Sequence, residues 1–242
     1  MKKLLVTMFV ALLVVGCGGD TKKPAGAIPE SNQSSAETPT AKSPEVAKID
    51  LDDNETRNRI IAEAIDWDEI PSGYTGWSKE MHDNGRINLL AQYKDGRPDG
   101  PWTAWYSSGQ KKLESNYKDG KLDGVWTGWN EDGEKREEIN FKEGKYDGLV
   151  TCWYKNGQKS HESTYKNGKG AGLHTEWYNN GQKRSETTFK DGGPVTIVVW
   201  KPNGEKCPDT KLVDGNGVWV GYNEDGTERF RATYKDGARV KD

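Results

Sequence analysis

Four glutamates recur at a constant interval along the chain, and carboxylates are among the side chains that proteins use for general acid–base catalysis. An acid–base pair needs two carboxyls whose environments push their pKa values apart. Residues at one repeated position share one environment, so the constant interval predicts no active site among the four. They are Glu114, Glu138, Glu162 and Glu186.

Aromatic residues that could form a binding surface recur along the same stretch of chain. The predicted binding residues form two columns, Trp102, Trp126 and Trp219 in one and Tyr106, Tyr154 and Tyr178 in the other. They share a predicted sheet face with the glutamates and with Lys112, Arg136 and Arg184. Such charged rows are ordinarily solvated cross-strand pairs, whereas exposed aromatics among them would form a binding strip for a protein or a glycan. Both interpretations remain open.

The composition limits the folds that can position these residues. Aliphatic residues are scarce, but the 242-residue chain has 10 Trp, 10 Tyr and 29 Gly. Large flat side chains between many turns favour an all-β protein over a helical bundle or a doubly wound α/β fold. The 35 Lys and Arg residues against 38 Asp and Glu leave no net positive charge, which excludes the ordinary basic nucleic-acid binder.

The first residues have the layout of an export signal. Two lysines precede an apolar run, and Gly16 stands immediately before Cys17. Residues 14–17 resemble a bacterial lipobox, in which the cysteine becomes the lipidated first residue of the mature chain. The resemblance implies that residues 1–16 are removed and that acyl chains such as palmitate on Cys17 anchor the protein in the cell envelope. Gly18 after the cysteine favours the outer over the inner membrane in a Gram-negative organism, facing the periplasm or the exterior.

Two further segments separate this signal from the rest of the chain. Residues 17–48 are rich in Pro, Ser, Thr and Ala without apolar periodicity, which predicts a disordered tether. Residues 49–71 contain one short amphipathic helix, predicted from Asp53 to Ile65, whose apolar stripe is Ile60, Ile61, Ala64 and Ile65. We expect this helix to cap the first strand of the domain that follows.

A repeat fills residues 72–242. Four copies of equal length begin at Gly100, Gly124, Gly148 and Gly172, one degenerate copy precedes them and two shorter copies follow. Each copy contains two turn glycines, most of them after Asn or Asp, which is the strongest local signal for a β-hairpin. We therefore predict about fourteen strands in an elongated, curled, single-layer antiparallel meander.

The turn type decides which residues share a face of this sheet. We predict three-residue loops at Gly133 and Gly144, each a type I turn closed by a glycine in the αL conformation. Cross-strand partners then have the same parity, so all odd-numbered residues lie on one face. This face would be the apolar one, and it would carry Val125, Thr127, Trp129, Ile139, Phe141, Leu149, Thr151, Trp153 and Tyr165.

The spacing of the turn glycines changes once. Gly181 and Gly204 lie one residue closer together than the equivalent glycines of the preceding copies, which reverses the parity of the strands between them. A bulge or irregular loop is therefore expected in residues 192–195. It would bring Trp200 and Leu212 onto the same apolar face.

Histidines and cysteines do not form a predicted metal site or disulfide. His82, His161 and His174 lie in different copies, and the same parity rule places the last two on opposite faces. Cys152 and Cys207 lie roughly 24 Å apart at ~4.8 Å per strand, too far for a disulfide. Nucleophile-elbow, phosphate-loop and Cys-x-x-Cys motifs are absent from the sequence, so we expect no enzyme activity and no cofactor.

The repeat unit resembles the MORN repeat variant of bacterial proteins commonly named YwqK family antitoxins. The resemblance rests on the pattern Y/F-K-D/N-G-K-x-D-G-x-W-T-x-W-Y-x-N/D-G-Q-K and covers most of the chain. It implies a curled antiparallel sheet that acts as an interaction surface, and the family label implies a toxin as the protein partner. The lipobox departs from a cytoplasmic antitoxin.

The sequence supports two alternative functions. The first is a surface-anchored, non-enzymatic scaffold that binds an unidentified protein partner along the repeat sheet, with the membrane engaged through the lipid anchor. The alternative is a module that binds glycan or peptidoglycan in the cell envelope, since short Trp/Tyr/Gly hairpins resemble cell-wall-binding repeats. Neither function involves nucleic acid.

Overall fold

The structure, a computed structural model, describes residues 50–240. Within this range it contains one α-helix, α1 (Asn54–Glu63), one turn of 3₁₀ helix (Trp67–Glu69) and a single sheet of 17 strands. The predicted signal peptide (1–16), the lipidated Cys17 and the tether up to residue 48 lie outside the described residues.

The sheet is a meander in which nearly every strand pairs antiparallel with the next one in sequence. Two exceptions are β1, which pairs parallel with β2, and β5, which pairs with both β6 and β7. The all-β meander is thus confirmed. The strands are β1 (Ile65–Asp66), β2 (Gly76–Met81), β3 (Ile87–Lys94), β4 (Arg97–Trp105), β5 (Lys111–Lys118), β6 (Lys121–Leu122), β7 (Gly124–Trp129), β8 (Lys135–Lys142), β9 (Lys145–Trp153), β10 (Lys159–Lys166), β11 (Lys169–Trp177), β12 (Lys183–Lys190), β13 (Gly193–Val199), β14 (Lys211–Val213), β15 (Asn216–Tyr222), β16 (Glu228–Lys235) and β17 (Ala238–Arg239).

Each copy of the repeat uses two different turns. The first is the predicted three-residue loop, in which Asn130 N donates to Glu134 O at 2.8 Å and Gly133 has a φ of 87°. The second is a two-residue loop between the paired residues Lys142 and Lys145, with positive φ at both central residues, as a type I′ turn requires. The prediction of a three-residue loop at Gly144 is therefore wrong.

A bulge beside the first turn adds a further change of register. Trp129 pairs with Lys135, but Gly128 pairs with Glu137, so one strand carries an extra residue. Beyond this bulge, partners have opposite parity, and Trp126 pairs with Ile139. The predicted odd-numbered apolar face is therefore wrong, because a shift of one residue moves a whole strand to the other face.

The two faces that result have different compositions. The core face carries Trp126, Ile139, Phe141 and Val150, which are 2–7% exposed and form one hydrophobic cluster with Cys152. The ladder face carries the residues between them, above all Val125, Thr127, Trp129 and Glu138 and their counterparts in the other copies. The predicted apolar set is thus divided between the two faces.

Aromatic side chains extend the core face from hairpin to hairpin. Phe141 contacts Tyr146 with ring centroids 5.0 Å apart, and Tyr146 contacts Tyr165 at 5.2 Å, both edge to face. Aromatic pairs in this geometry add about 0.5–1.5 kcal/mol beyond the burial of their area. Packing between neighbouring copies therefore stabilises this part of the sheet.

Helix α1 covers the beginning of the ladder face. Asp53 caps it by accepting a hydrogen bond from Thr56 N at 2.7 Å. Ile60 and Ala64 pack with Leu90 and Trp105, which confirms the predicted capping role. The helix ends two residues before the predicted Ile65, which instead pairs with β2. None of the helices formed by residues 50–240 has the length and apolar character needed to cross a bilayer.

The predicted irregularity at residues 192–195 is present. Phe189 pairs with Pro194 while Thr188 pairs with Thr196, so one residue is extra at this point. Leu212 pairs with Ile197 and joins the core face. Trp200 lies on the ladder face, with Lys183 Nζ 6.0 Å from its ring, so the two residues do not share the face predicted for them.

Candidate functional site

The three tryptophans predicted to bind a partner all lie on the core face. Trp126 is 4% exposed and its indole N–H has no hydrogen-bond partner. Trp102 contacts Trp67 and Tyr117, and Trp219 contacts Phe230, with centroids 5.0–5.5 Å apart. Their contacts are those of packing residues, and their binding role stays a prediction.

The three tyrosines predicted to bind a partner join consecutive hairpins. Each donates its hydroxyl hydrogen to the backbone carbonyl of a tryptophan in the next copy, at 2.7–2.8 Å. Tyr178 is completely buried. His82 takes the same position in the first copy, with Nε2 2.9 Å from Trp105 O. The pairs are Tyr106 with Trp129, Tyr154 with Trp177 and Tyr178 with Trp200.

On the ladder face, lysines and tryptophans alternate from one copy to the next. Lys111 Nζ lies 5.4 Å from the ring centroid of Trp129, and Lys135 Nζ lies 5.7 Å from that of Trp153. Lys159 and Lys183 repeat this contact at 5.9 and 6.0 Å. Cation–π contacts of this kind at exposed sites stabilise by about 0.5–1 kcal/mol each.

The four repeated glutamates pair with these same lysines. Lys111 contacts Glu114 at 2.8 Å and Lys135 contacts Glu138 at 2.7 Å, and the other two copies repeat the pair. The partners are therefore not the residues predicted beside them, since Arg136 contacts Glu137 instead. Each ammonium is shared between a carboxylate and an aromatic ring, so the row carries little net charge.

An aliphatic stripe crosses the ladder face next to these rows. Val125, Leu149 and Leu173 occupy the same position in three successive copies and are 48%, 43% and 53% exposed. Their strands are separated by one strand each, which sets them roughly 9.6 Å apart. The parity argument placed Val125 and Leu149 on the buried face. It therefore missed the only aliphatic residues that recur, exposed, on the ladder face of these copies in the described part of the chain.

A polar cluster interrupts the core face between β10 and β11. His161 pairs with Glu176 and Ser163 pairs with His174, so these side chains share one face. The two imidazole rings lie edge to face with centroids 4.2 Å apart. The prediction that His161 and His174 face opposite sides is wrong, because the intervening two-residue turn gives partners opposite parity.

Burial and neighbouring charge shape the titration of this cluster. Burial and, to a lesser extent, the adjacent imidazole of His174 lower the pKa of His161 to about 4. Burial would raise the pKa of Glu176, but the hydrogen bond with His174 and the charge of Arg184 outweigh it and lower the pKa to about 2. At neutral pH the cluster therefore holds a neutral His161 beside a carboxylate.

Cys207 is a free thiol in a second buried location, near the C-terminal end of the sheet. Its Sγ lies 3.2 Å from Tyr222 Oη, and Thr210 Oγ1 donates to it at 3.5 Å. Burial would raise the pKa of the thiol, but these hydrogen bonds lower it overall. The contacts fix a packed side chain within the hydrophobic cluster there.

Four segments of the chain match the family model of the MORN repeat variant. They are residues 98–119, 122–143, 146–167 and 172–191. A comparison with curated proteins gave no match. The matched segments are successive hairpins of the meander, and they include the alternating lysines and tryptophans, the aliphatic stripe and the histidine cluster. The centre of the sheet therefore contains four segments that match the MORN repeat variant.

Proposed function

We propose that the protein is a non-enzymatic scaffold that binds a protein partner along the ladder face. The supporting observation is the stripe of Val125, Leu149 and Leu173, each 43–53% exposed on an otherwise paired and charge-balanced surface. Exposed aliphatic residues in a regular row are typical of interaction surfaces. A MORN-variant repeat is consistent with such a repeat-based binding scaffold.

The chemistry of the stripe favours a protein over a glycan. Sugars stack on open aromatic faces, but lysine ammonium groups lie over the rings of Trp129, Trp153 and Trp177. The side chains left open are aliphatic, and Asn140 and Thr164 stand opposite Val125 and Leu149. An extended protein segment that crosses the strands would place its own apolar side chains on this stripe.

Site-specific photocrosslinking in cells tests the assignment. A photoreactive phenylalanine analogue at Leu149 should give a protein adduct that disappears when Leu173→Asp is introduced. The same analogue at Glu131, an exposed residue of a three-residue turn, is the control and should give no such adduct. Equal adducts from both positions would refute the ladder face as the binding surface. Co-sedimentation with purified peptidoglycan in place of a protein adduct would support the glycan alternative.

The proposal includes an anchor at the cell envelope and an antitoxin-like mode of action. The lipobox-like residues 14–17 support the anchor, and the resemblance to YwqK family antitoxins supports a toxin as partner. Cys17→Ser should leave the precursor uncleaved or release the protein from the membrane fraction. A mature chain with unmodified Cys17 in the soluble fraction would contradict the anchor and leave the ladder-face proposal to its own test.

A further inference from the structure

Two neighbouring copies of the repeat carry metal-binding side chains on the core face. The first supplies His161 from β10, and the next supplies His174 and Glu176 from β11. Positions equivalent to His174 hold Trp102, Trp126 and Val150, and those equivalent to Glu176 hold Ala104, Gly128 and Cys152. The position of His161 holds Leu113, Glu137 and Ser185 in the other copies. None of these copies brings two imidazoles and a carboxylate together, which indicates a separate role for the three residues.

The three side chains converge on one point of the core face. Each offers one ligand atom, and these atoms all lie within 4.8 Å of one another. His174 Nε2 and Glu176 Oε1 are 3.8 Å apart. Ligands of a tetrahedral ion with bonds of ~2.0–2.1 Å lie roughly 3.3 Å apart, so small rotations of the side chains complete the arrangement.

We propose that His161, His174 and Glu176 form a binding site for a divalent transition-metal ion, zinc in the first place. Two imidazoles and one carboxylate suit zinc, whereas Mg²⁺ and Ca²⁺ prefer oxygen ligands alone. Three protein ligands leave one coordination position for water or for a group of a bound partner. The ion would join β10 to β11 and stabilise the pair.

Neighbouring residues orient two of the three ligands, as is usual around metal sites. His161 Nε2 lies 2.9 Å from Ser163 Oγ, which fixes the orientation of the ring. Ser185 Oγ donates to Glu176 Oε2 at 3.2 Å, and Arg184 Nε lies 3.9 Å from the same oxygen. Glu176 Oε1 therefore remains directed toward His174.

The site is sheltered but reachable from solvent. The side chains of His174 and Glu176 are 19% and 35% exposed. Phe189 covers one side of His174, with ring centroids 5.5 Å apart. A metal ion and one coordinated water can therefore reach the three ligands, while the surrounding aromatic contacts hold the imidazoles in place.

Calorimetric titration of the tag-free full chain with ZnCl₂ tests the proposal, with MgCl₂ as the control ion. We expect binding of one zinc ion per chain and no heat from magnesium beyond dilution. His174→Ala and Glu176→Gln should each weaken zinc binding at least about tenfold. Glu162→Gln is the matched control, because it removes a carboxylate from β10 on the opposite face and should leave the affinity unchanged.

A second readout keeps the test decisive if His174→Ala disturbs folding. Co²⁺ added to the full chain should give visible absorption bands that zinc displaces, and the shape-preserving Glu176→Gln should change their position or intensity. Circular dichroism of every variant checks that the sheet is intact. Zinc that binds equally well to folded His174→Ala and Glu176→Gln, or the absence of zinc binding by the unmodified chain, would overturn the proposal.

Discussion

Trp126 and Trp129 belong to the same strand and lie on opposite faces of one sheet. Trp126 is 4% exposed and packs among Ile139, Phe141 and Val150. Trp129 is half-buried, and its ring lies beneath the ammonium group of Lys111. One tryptophan is held by apolar contacts between copies and the other by alternation of aromatic and cationic side chains.

The difference explains where the repeat is strict and where it varies. On the ladder face, tryptophan recurs at Trp105, Trp129, Trp153 and Trp177 and threonine at Thr103, Thr127, Thr151 and Thr175. On the core face, the position of Trp126 holds tryptophan, valine or histidine in neighbouring copies. Apolar packing accepts different residues of adequate volume, whereas a cation over a ring needs both partners in every copy. The most regular column in the sequence is therefore not the core.

Deletions should produce the largest effects and test whether each face is continuous from copy to copy. Removal of residues 124–147, one whole copy, should leave a folded and shorter sheet because both faces keep their columns. Removal of residues 124–135, half a copy, should abolish cooperative unfolding, since it sets the second strands of two hairpins side by side. Circular dichroism and thermal unfolding of both deletions provide the measurement. A folded half-copy deletion beside an unfolded whole-copy deletion would contradict the repeat model.

Replacement of single tryptophans should separate the two faces energetically. Trp126→Ala should lower the free energy of unfolding by roughly 3–5 kcal/mol, because it leaves a cavity in the core face. Trp153→Ala on the ladder face should cost roughly 1–2 kcal/mol, since this ring is half-buried and loses mainly a cation–π contact. Denaturant unfolding of both variants measures the difference. A larger loss from Trp153→Ala would mean that the ladder face is the true core.

The tyrosine column should contribute a smaller and more uniform amount. Tyr154→Phe removes the hydrogen bond to Trp177 O, which is 2.7 Å long, and should cost about 1 kcal/mol. Tyr165→Phe is the matched control, because Tyr165 packs against the core-face cluster through its ring. Equal losses from the two variants in denaturant unfolding would show that the hydroxyl of Tyr154 does not join the hairpins.

Lysine replacement on the ladder face should give the smallest effect. Lys135→Ala removes the contacts with Trp153 and Glu138 and should cost about 0.5 kcal/mol, less at high salt. Lys155→Ala in an exposed turn is the control and should leave stability unchanged. Unfolding at two salt concentrations measures the difference. A loss for Lys135→Ala that does not depend on salt would indicate packing by its aliphatic stem instead of charge.

The period, the hairpins and the capping helix could be predicted from the sequence, because turn glycines and a capped apolar stripe are local signals. The faces could not be predicted by parity alone. The bulge beside the first turn makes Arg136 the extra residue of its strand. Its neighbour Lys135 is also basic, so the hydrophobic pattern does not show which of the two residues is bulged. A signal was nevertheless present at the second turns. Pairs such as Asp119-Gly120 and Asn167-Gly168 favour two-residue type I′ loops.

The histidine cluster was not predicted for the same reason, the wrong parity of cross-strand partners. His161 is odd-numbered and His174 is even-numbered, and only the opposite-parity register brings both rings to the core face. The contribution of Glu176 depends on the same register, since it pairs directly with His161. Spacing in sequence therefore does not predict such a cluster until the turn type is known.

The shortness of β1 and β17 has a consequence for self-association. In the described part of the chain these two-residue strands terminate the sheet at either end, each paired with a longer strand, β2 and β16. The unpaired backbone groups of a long edge strand can pair with a strand of another chain, and short edge strands limit such aggregation. β17 pairs with Tyr234 and Lys235 of the eight-residue β16, so truncation after Lys235 would leave the whole edge of β16 unpaired and favour end-to-end polymerisation.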